Sequence, residues 1–173
     1  MGAPAEVRVE PYGLRHAPAF QALAADARIA ATTLVPHPYP AGGAARLARE
    51  AARARQRREA FSFAVLVGDA VVGSCSLKNL DWDARQAEIG YWVGVPYWGR
   101  GYASAAVRIV TAFGVETLGL RRIAAEVLVG NDASARVLEK AGYRPDRTFP
   151  NTSPRHEGAP TVLYVREADA PPA

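Results

Sequence analysis

The tightest constraint in this chain is a strand that stops at a proline and gives way to a helix within a few residues. The run is Val93-Gly94-Val95-Pro96-Tyr97-Trp98-Gly99-Arg100-Gly101-Tyr102-Ala103. Pro96 has a fixed φ and no amide hydrogen, so a strand ladder cannot continue through it. Gly101 to about Thr117 then predicts a helix, with Ala106, Ile109, Val110 and Phe113 on one face and Gly119 past its end. The first amides of such a helix have no internal partners, and with the helix dipole they form an anion site. Gly99 and Gly101 let backbone approach a diphosphate without Cβ atoms between them, and Ala103 keeps the approach close. Arg100 offers a charge-assisted contact to phosphate. A glycine turn that merely starts a helix is the competing reading. A dinucleotide fingerprint fits poorly, because its third small position is Ser104 and the preceding segments are hairpin strands. No G-x-x-x-x-G-K-[ST] run is present.

Elsewhere the pattern alternates between the two periodicities. Val7–Glu10 reads as a first strand and Ala17–Ala25 as a helix. Pro36, Pro38 and Pro40 forbid a helix and predict an extended loop. Ala44–Ala60, rich in Ala, Arg, Glu and Gln, predicts a strong helix. Phe61–Val67 and Ala70–Leu80 flank Gly68-Asp69 as a hairpin; after the polar turn 81–85, Gln86–Val95 returns as a strand. Arg122–Val129 reads as a β-branched strand, Asp132–Ala141 as a helix closed by Gly142, and Thr161–Arg166 as a last strand. Strands followed by strand–helix–strand–helix–strand imply α/β or α+β with a mixed sheet. At 173 residues the expectation is one domain, 1–173, with its core over about 7–166 and a frayed tail at 167–173.

Composition narrows the classes. Apolar residues make up 49% and charged residues 22%, an ordinary globular balance. No apolar run approaches the roughly 18 residues a membrane span needs. Met1–Glu6 lacks a basic-then-apolar leader pattern, so a cytoplasmic protein is the expectation. Cys75 is the single cysteine, which excludes a disulfide framework within the chain and reads as a buried thiol. His16, His37 and His156 are scattered, and no metal is expected. The net charge of +4, carried almost entirely by arginine, favours an anionic ligand without requiring DNA.

The stretch from Glu88 to Ala106, together with Asn131-Asp132-Ala133-Ser134-Ala135-Arg136-Val137-Leu138-Glu139-Lys140-Ala141-Gly142-Tyr143, resembles the GNAT N-acetyltransferases, most closely their RimJ/RimL-like branch. Trp98 stands in the Q/R place of the Q/R-x-x-G-x-G/A loop, Gly101 at the first glycine and Ala103 at the last small position. The resemblance implies a bacterial, cytoplasmic enzyme with a mixed, largely antiparallel sheet of about seven strands, splayed between the fourth and fifth and flanked by about four helices. It implies acetyl-CoA as co-substrate and direct attack by a primary amine in a ternary complex. The acceptor would be a protein N-terminus of the ribosomal-protein type, or a small amine. Val93 and Val95 are expected to bond the pantetheine arm through their backbones, as in strand addition. The amides of Gly99, Arg100, Gly101, Tyr102, Ala103 and Ser104, beside Trp98, are expected to hold the pyrophosphate, with Asn131 and Ser134 near the thioester.

Transfer to an amine needs a base, an oxyanion donor and a proton for the departing thiolate. Glu88 is the candidate base; the alternative is a strand-end carboxylate that pairs with an arginine such as Arg85 or only orients substrate. Leu138 stands where many relatives carry a tyrosine acid, so the role falls to Ser134, unless Ser134 only satisfies its own helix start. Asn131 is a helix cap, a ligand contact, or both. The Val93 amide is the candidate oxyanion donor. His37, Tyr39, Trp82 and Trp92 are candidate walls of the acceptor cleft. Arg46, Arg49, Arg53 and Arg57 form one helix stripe, a solvated face or a docking face for an acidic peptide or RNA. Two other classes compete, a non-catalytic CoA-binding sensor and a nucleic-acid-binding protein. Monomer and homodimer both remain open.

Overall fold

The computed structural model describes residues 6–168; the leader reading of Met1–Ala5 and the tail from Asp169 onward lie outside the described residues. Seven strands form one sheet: β1 (Val7–Pro11), β2 (Phe61–Val67), β3 (Ala70–Asp81), β4 (Gln86–Val93), β5 (Arg122–Leu128), β6 (Arg144–Pro150) and β7 (Pro160–Glu167). The helices are α1 (Ala17–Ala24), α2 (Ala27–Ala30), α3 (Gly43–Gln56), α4 (Tyr102–Ala112) and α5 (Asp132–Lys140). The sheet order is β1-β2-β3-β4-β5-β7-β6. Every neighbouring pair is antiparallel except β4–β5.

Strand alternation decides which helices cover which face. Phe61, Phe63 and Val65 of β2 join Val107 and Val110 of α4 and Leu138 of α5 in one buried cluster. Ala64 and Leu66, one step out of phase, join Phe20 and Ala24 of α1 and Ala44, Ala48 and Ala51 of α3 in another. Small residues at four- and three-residue spacing let α3 lie close to the sheet. Cys75 is fully buried in the first cluster, and burial pushes its thiol pKa up, as a structural thiol requires.

Several element ends differ from expectation, each for a local reason. The helix expected over Ala44–Ala60 ends at Gln56, because Arg58 takes a positive φ of 57°. The strand expected to reach Val95 ends at Val93, because Pro96 sits in a 3-10 turn over Val95–Tyr97. The long helix leaves α geometry after Ala112 and finishes as a π turn over Phe113–Thr117. The strand β6 and the four-residue α2 were not foreseen at their positions.

Candidate active site

The strands β4 and β5 pair only from Gln86–Glu88 to Arg122–Ala124. Beyond Glu88 they diverge and leave a V-shaped opening in the sheet. The backbone of β4 reads out in alternation: the Gly94 amide donates to Val72 O of β3, at 2.8 Å, while Arg85 O on the other edge accepts from Arg121 N of the β5 side, at 2.7 Å. By period two, the amides of Tyr91 and Val93 therefore point away from β3, into the opening. Gly73 makes this edge tight, since a Cβ there would lie 2.2 Å from Trp92 O.

The loop that follows is held by Trp98. Its indole Nε1–H donates to Val93 O at 2.7 Å and its backbone N–H to Val95 O at 3.2 Å. Both valine carbonyls are thus engaged inside the protein. Gly99 and Gly101 then take φ of +75° and +78°, left-handed conformations that glycine adopts freely. Gly101 caps α4, whose first internal bond is Ala105 N to Gly101 O. Among the described residues, the amides from Gly99 to Ser104 have no hydrogen-bond partner. A run of unpartnered amides at a helix start is an anion cradle.

Across the opening stands α5. Asn131 caps it, its Oδ1 accepting from Ser134 N at 3.3 Å. Tyr91 spans the gap, donating its hydroxyl to Ser134 O at 3.1 Å. Burial pushes the Tyr91 pKa up, which keeps it a neutral donor. Ser134 and Asn131 line a cleft of about 460 Å³ together with Glu88, Tyr91 and Trp92 of β4 and Tyr39 of the proline-rich loop. Val93 ends β4 beside it.

Glu88 pairs across strands with Lys78, at Nζ–Oε2 3.9 Å, and not with Arg85. A second carboxylate, Glu126, lines the same cleft. It lies two residues beyond Ala124, the register partner of Glu88, so both project from one face of the sheet. Desolvation raises the Glu126 pKa, the Glu88 charge raises it further, and Lys78 opposes them. Glu126 escaped the sequence reading because it sits inside a β-branched run; its phase relative to the buried Ile123, Ala125 and Val127 was the available signal.

Two expected cleft residues lie elsewhere. Trp82, in the β3–β4 turn, donates to Arg58 O at 3.1 Å and is stacked under the Arg58 guanidinium, at 4.3 Å. His37 is not among the cleft-lining residues; its neighbours Pro36 and Tyr39 are. The cleft instead has a roof that was not foreseen. His156 Nε2 donates to Thr33 O at 3.2 Å, joining the β6–β7 loop to the α2–α3 loop. Asn151, buried and bonded to Thr161 Oγ1, Ser153 N and Ser153 Oγ, anchors that loop. Among the described residues no group of three or more His, Cys, Asp or Glu side chains gathers, and no helix is long and apolar enough to cross a membrane.

A splayed β4–β5 pair with a glycine-capped helix start beside it is the frame of an acyltransferase fold. Residues 6–144 match the family model described as an acetyltransferase (GNAT) domain, and the chain belongs to that family. It is 37% identical over 84 residues to the uncharacterized N-acetyltransferase p20 of Bacillus licheniformis, covering 49% of this chain and 47% of that one. The chain spans about half the length of the curated relatives it matches. Its fold matches RimL, a ribosomal L7/L12 alpha-N-protein acetyltransferase solved with coenzyme A, at a TM-score of 0.85, 18% identity and 97% and 98% coverage. RimJ of Mycobacterium smegmatis, in complex with CoA-disulfide, matches at a TM-score of 0.86, 22% identity and 95% and 84% coverage.

Proposed function

We propose that the protein transfers the acetyl group of acetyl-CoA to a primary amine, by direct attack with both substrates bound. The observation that carries this reading is the run of unpartnered amides from Gly99 to Ser104 beside an unpaired strand edge. These features fit a ligand with a diphosphate at one end and a strand-like arm at the other. Acetyl-CoA, when bound, supplies an activated acyl carbonyl. The loop amides and Arg100 hold the pyrophosphate, and the Val95 N–H takes an acceptor of the arm, which leaves the Val93 N–H for the acyl oxygen. Trp98 acts by holding Val93 and Val95 in place.

The chain's own groups then divide the chemistry. Glu126, with its raised pKa, and Glu88 face the acceptor cleft, where one carboxylate takes the proton of an incoming ammonium, directly or through water. The Val93 amide, directed into the opening, stabilises the negative charge that develops on the acyl oxygen. Ser134 Oγ, half-buried in the first turn of α5, hydrogen-bonds the departing sulfur. Asn131 fixes that turn as its cap and leaves its Nδ2 donor for the arm or the acceptor. Tyr39 and Trp92 wall the acceptor side.

A spectrophotometric assay of CoA release across peptide N-termini and small amines tests the reaction. Calorimetric titration with acetyl-CoA tests the site separately. Tight acetyl-CoA binding without turnover of any amine would overturn the reaction in favour of a non-catalytic CoA sensor. Absence of acetyl-CoA binding would overturn the whole assignment.

A further inference from the structure

We infer that the outer face of α3 is a docking strip for the acceptor, and that this acceptor is a polypeptide whose N-terminus is followed by acidic residues. The inference rests on the amine-transfer reading above and names the class of amine.

The strip begins at the cleft. Arg46, Leu47 and Glu50, in the first two turns of α3, line the same cavity as Glu88 and Glu126. From there Arg46, Arg49, Arg53 and Arg57 follow one another at helical spacing, all exposed, while Ala44, Ala48 and Ala51 on the opposite side are buried. Arg46 faces Glu50 at 3.8 Å and Arg57 faces Glu59 at 2.9 Å. Among the described residues Arg49 and Arg53 have no carboxylate in ion-pair reach. The middle of the strip therefore carries two uncompensated guanidinium groups.

The way out of the cleft also points to α3. With its amine at Glu88 and Glu126, a peptide must leave between the walls of the cleft. One side is bridged, because His156 of the β6–β7 loop bonds Thr33 of the α2–α3 loop. Arg46, Leu47 and Glu50 of α3 form part of the cleft's lining. From Arg46 to Arg57 the helix rises about 16 Å, the length of roughly five extended residues. A short acidic segment laid along it would meet Arg49 and Arg53 in succession. RNA fits the strip less well. It is one helix wide, Glu50 interrupts it, and none of its exposed side chains is an aromatic platform for a base.

The test uses three synthetic twelve-residue peptides sharing their first two residues and carrying acidic, neutral or arginine-rich residues after them. Acetylation is followed with the full-length protein and with the Arg49→Gln/Arg53→Gln variant. The acidic peptide is expected to show a KM about tenfold below the neutral one at low salt, with kcat unchanged. That advantage should vanish in the variant and at high ionic strength, while the neutral peptide's kcat/KM stays the same. Equal KM values for acidic and neutral peptides, or an advantage that survives in the variant, would overturn the inference. Turnover of small amines with no turnover of any peptide would overturn it and leave the transfer reaction standing. Tight binding of a twelve-nucleotide RNA, lost in the variant, with no preference for the acidic peptide would assign the strip to RNA instead.

Discussion

Gly73→Ala tests the close β3–β4 pairing that positions the β4 edge of the opening. A Cβ on Gly73 would lie 2.2 Å from Trp92 O, 2.9 Å from Val93 Cα and 3.1 Å from Trp92 C. Ordinary contact begins at 3.4 Å, so β3 and β4 must separate by about 1.2 Å. All three neighbours are backbone, and no side chain can rotate aside. Overpacking of this kind costs about 1–3 kcal/mol. In a chain of this size that lowers Tm by roughly 2–12 °C. The displaced segment carries the Val93 amide, and a misplacement of about 1 Å costs about 100-fold in rate. Gly68→Ala is the control: its φ is +58°, but nothing lies within 4 Å of its Cβ position, and it sits at the hairpin turn between β2 and β3. It should lose roughly 1–2 kcal/mol of stability with no loss of turnover. Thermal melting and CoA release, measured for both variants below their melting range, give the comparison. If Gly73→Ala melts within a degree of the parent and turns over at the parental rate, the close approach of β3 to Trp92 is wrong, and so is the placement of the Val93 amide.

Further outcomes follow from other residues. Glu126→Gln should lower kcat about 100-fold or more. Because the Glu126 carboxyl is raised, its basic form is lost as pH falls through that raised pKa, and the variant's pH–rate profile should lack this acid limb. Tyr91→Phe removes the hydroxyl that reaches Ser134 O; a net loss near 1 kcal/mol should appear as a fall in Tm of roughly 2–4 °C by thermal melting. Leu138→Ala empties a fully buried site in the core under α5 and should cost about 2–5 kcal/mol by denaturant titration. Glu10 is held below the ordinary carboxylate range by its hydrogen bond to His16, then by Arg15 and Arg8. Its folded pKa lies below its unfolded one, so its contribution is present above the ordinary carboxylate pKa and lost as pH falls through the lowered value. The Tm difference between the parent and Glu10→Gln should therefore shrink below about pH 4.

The central elements were legible because one physical signal dominated each. The apolar run Phe61–Val67 before the Gly68-Asp69 turn and the return of Gln86–Val93 after a polar turn marked strands, and Gly101 with the apolar face of Ala106 and Val110 marked α4. The strand β6 was illegible for the opposite reason. Its residues, Arg144-Pro145-Asp146-Arg147-Thr148-Phe149-Pro150, are nearly all exposed, so nothing imposes a buried face on them. Only pairing with β7 makes them a strand, and pairing is not a property of the segment itself. The candidate site shows the same division. The glycine loop is local in sequence and could be read there. Meetings between distant segments could not: the Glu88–Glu126 neighbourhood, the Tyr91 bond to Ser134 and the His156 bond to Thr33 depend on strand register and loop closure.

The outer strand β6 also decides where in this molecule a strand-like guest can settle. Pro145 and Pro150 remove two donors from the rim of the sheet, the register slips between Pro145 and Arg147, and charged side chains crowd the rest. At the opposite rim β1 is five residues long and ends in Pro11. Both perimeters therefore repel added strands, whereas the gap between β4 and β5 invites one. A sheet guarded at its borders and left unfinished in its middle accepts an extended chain only where its own strands part.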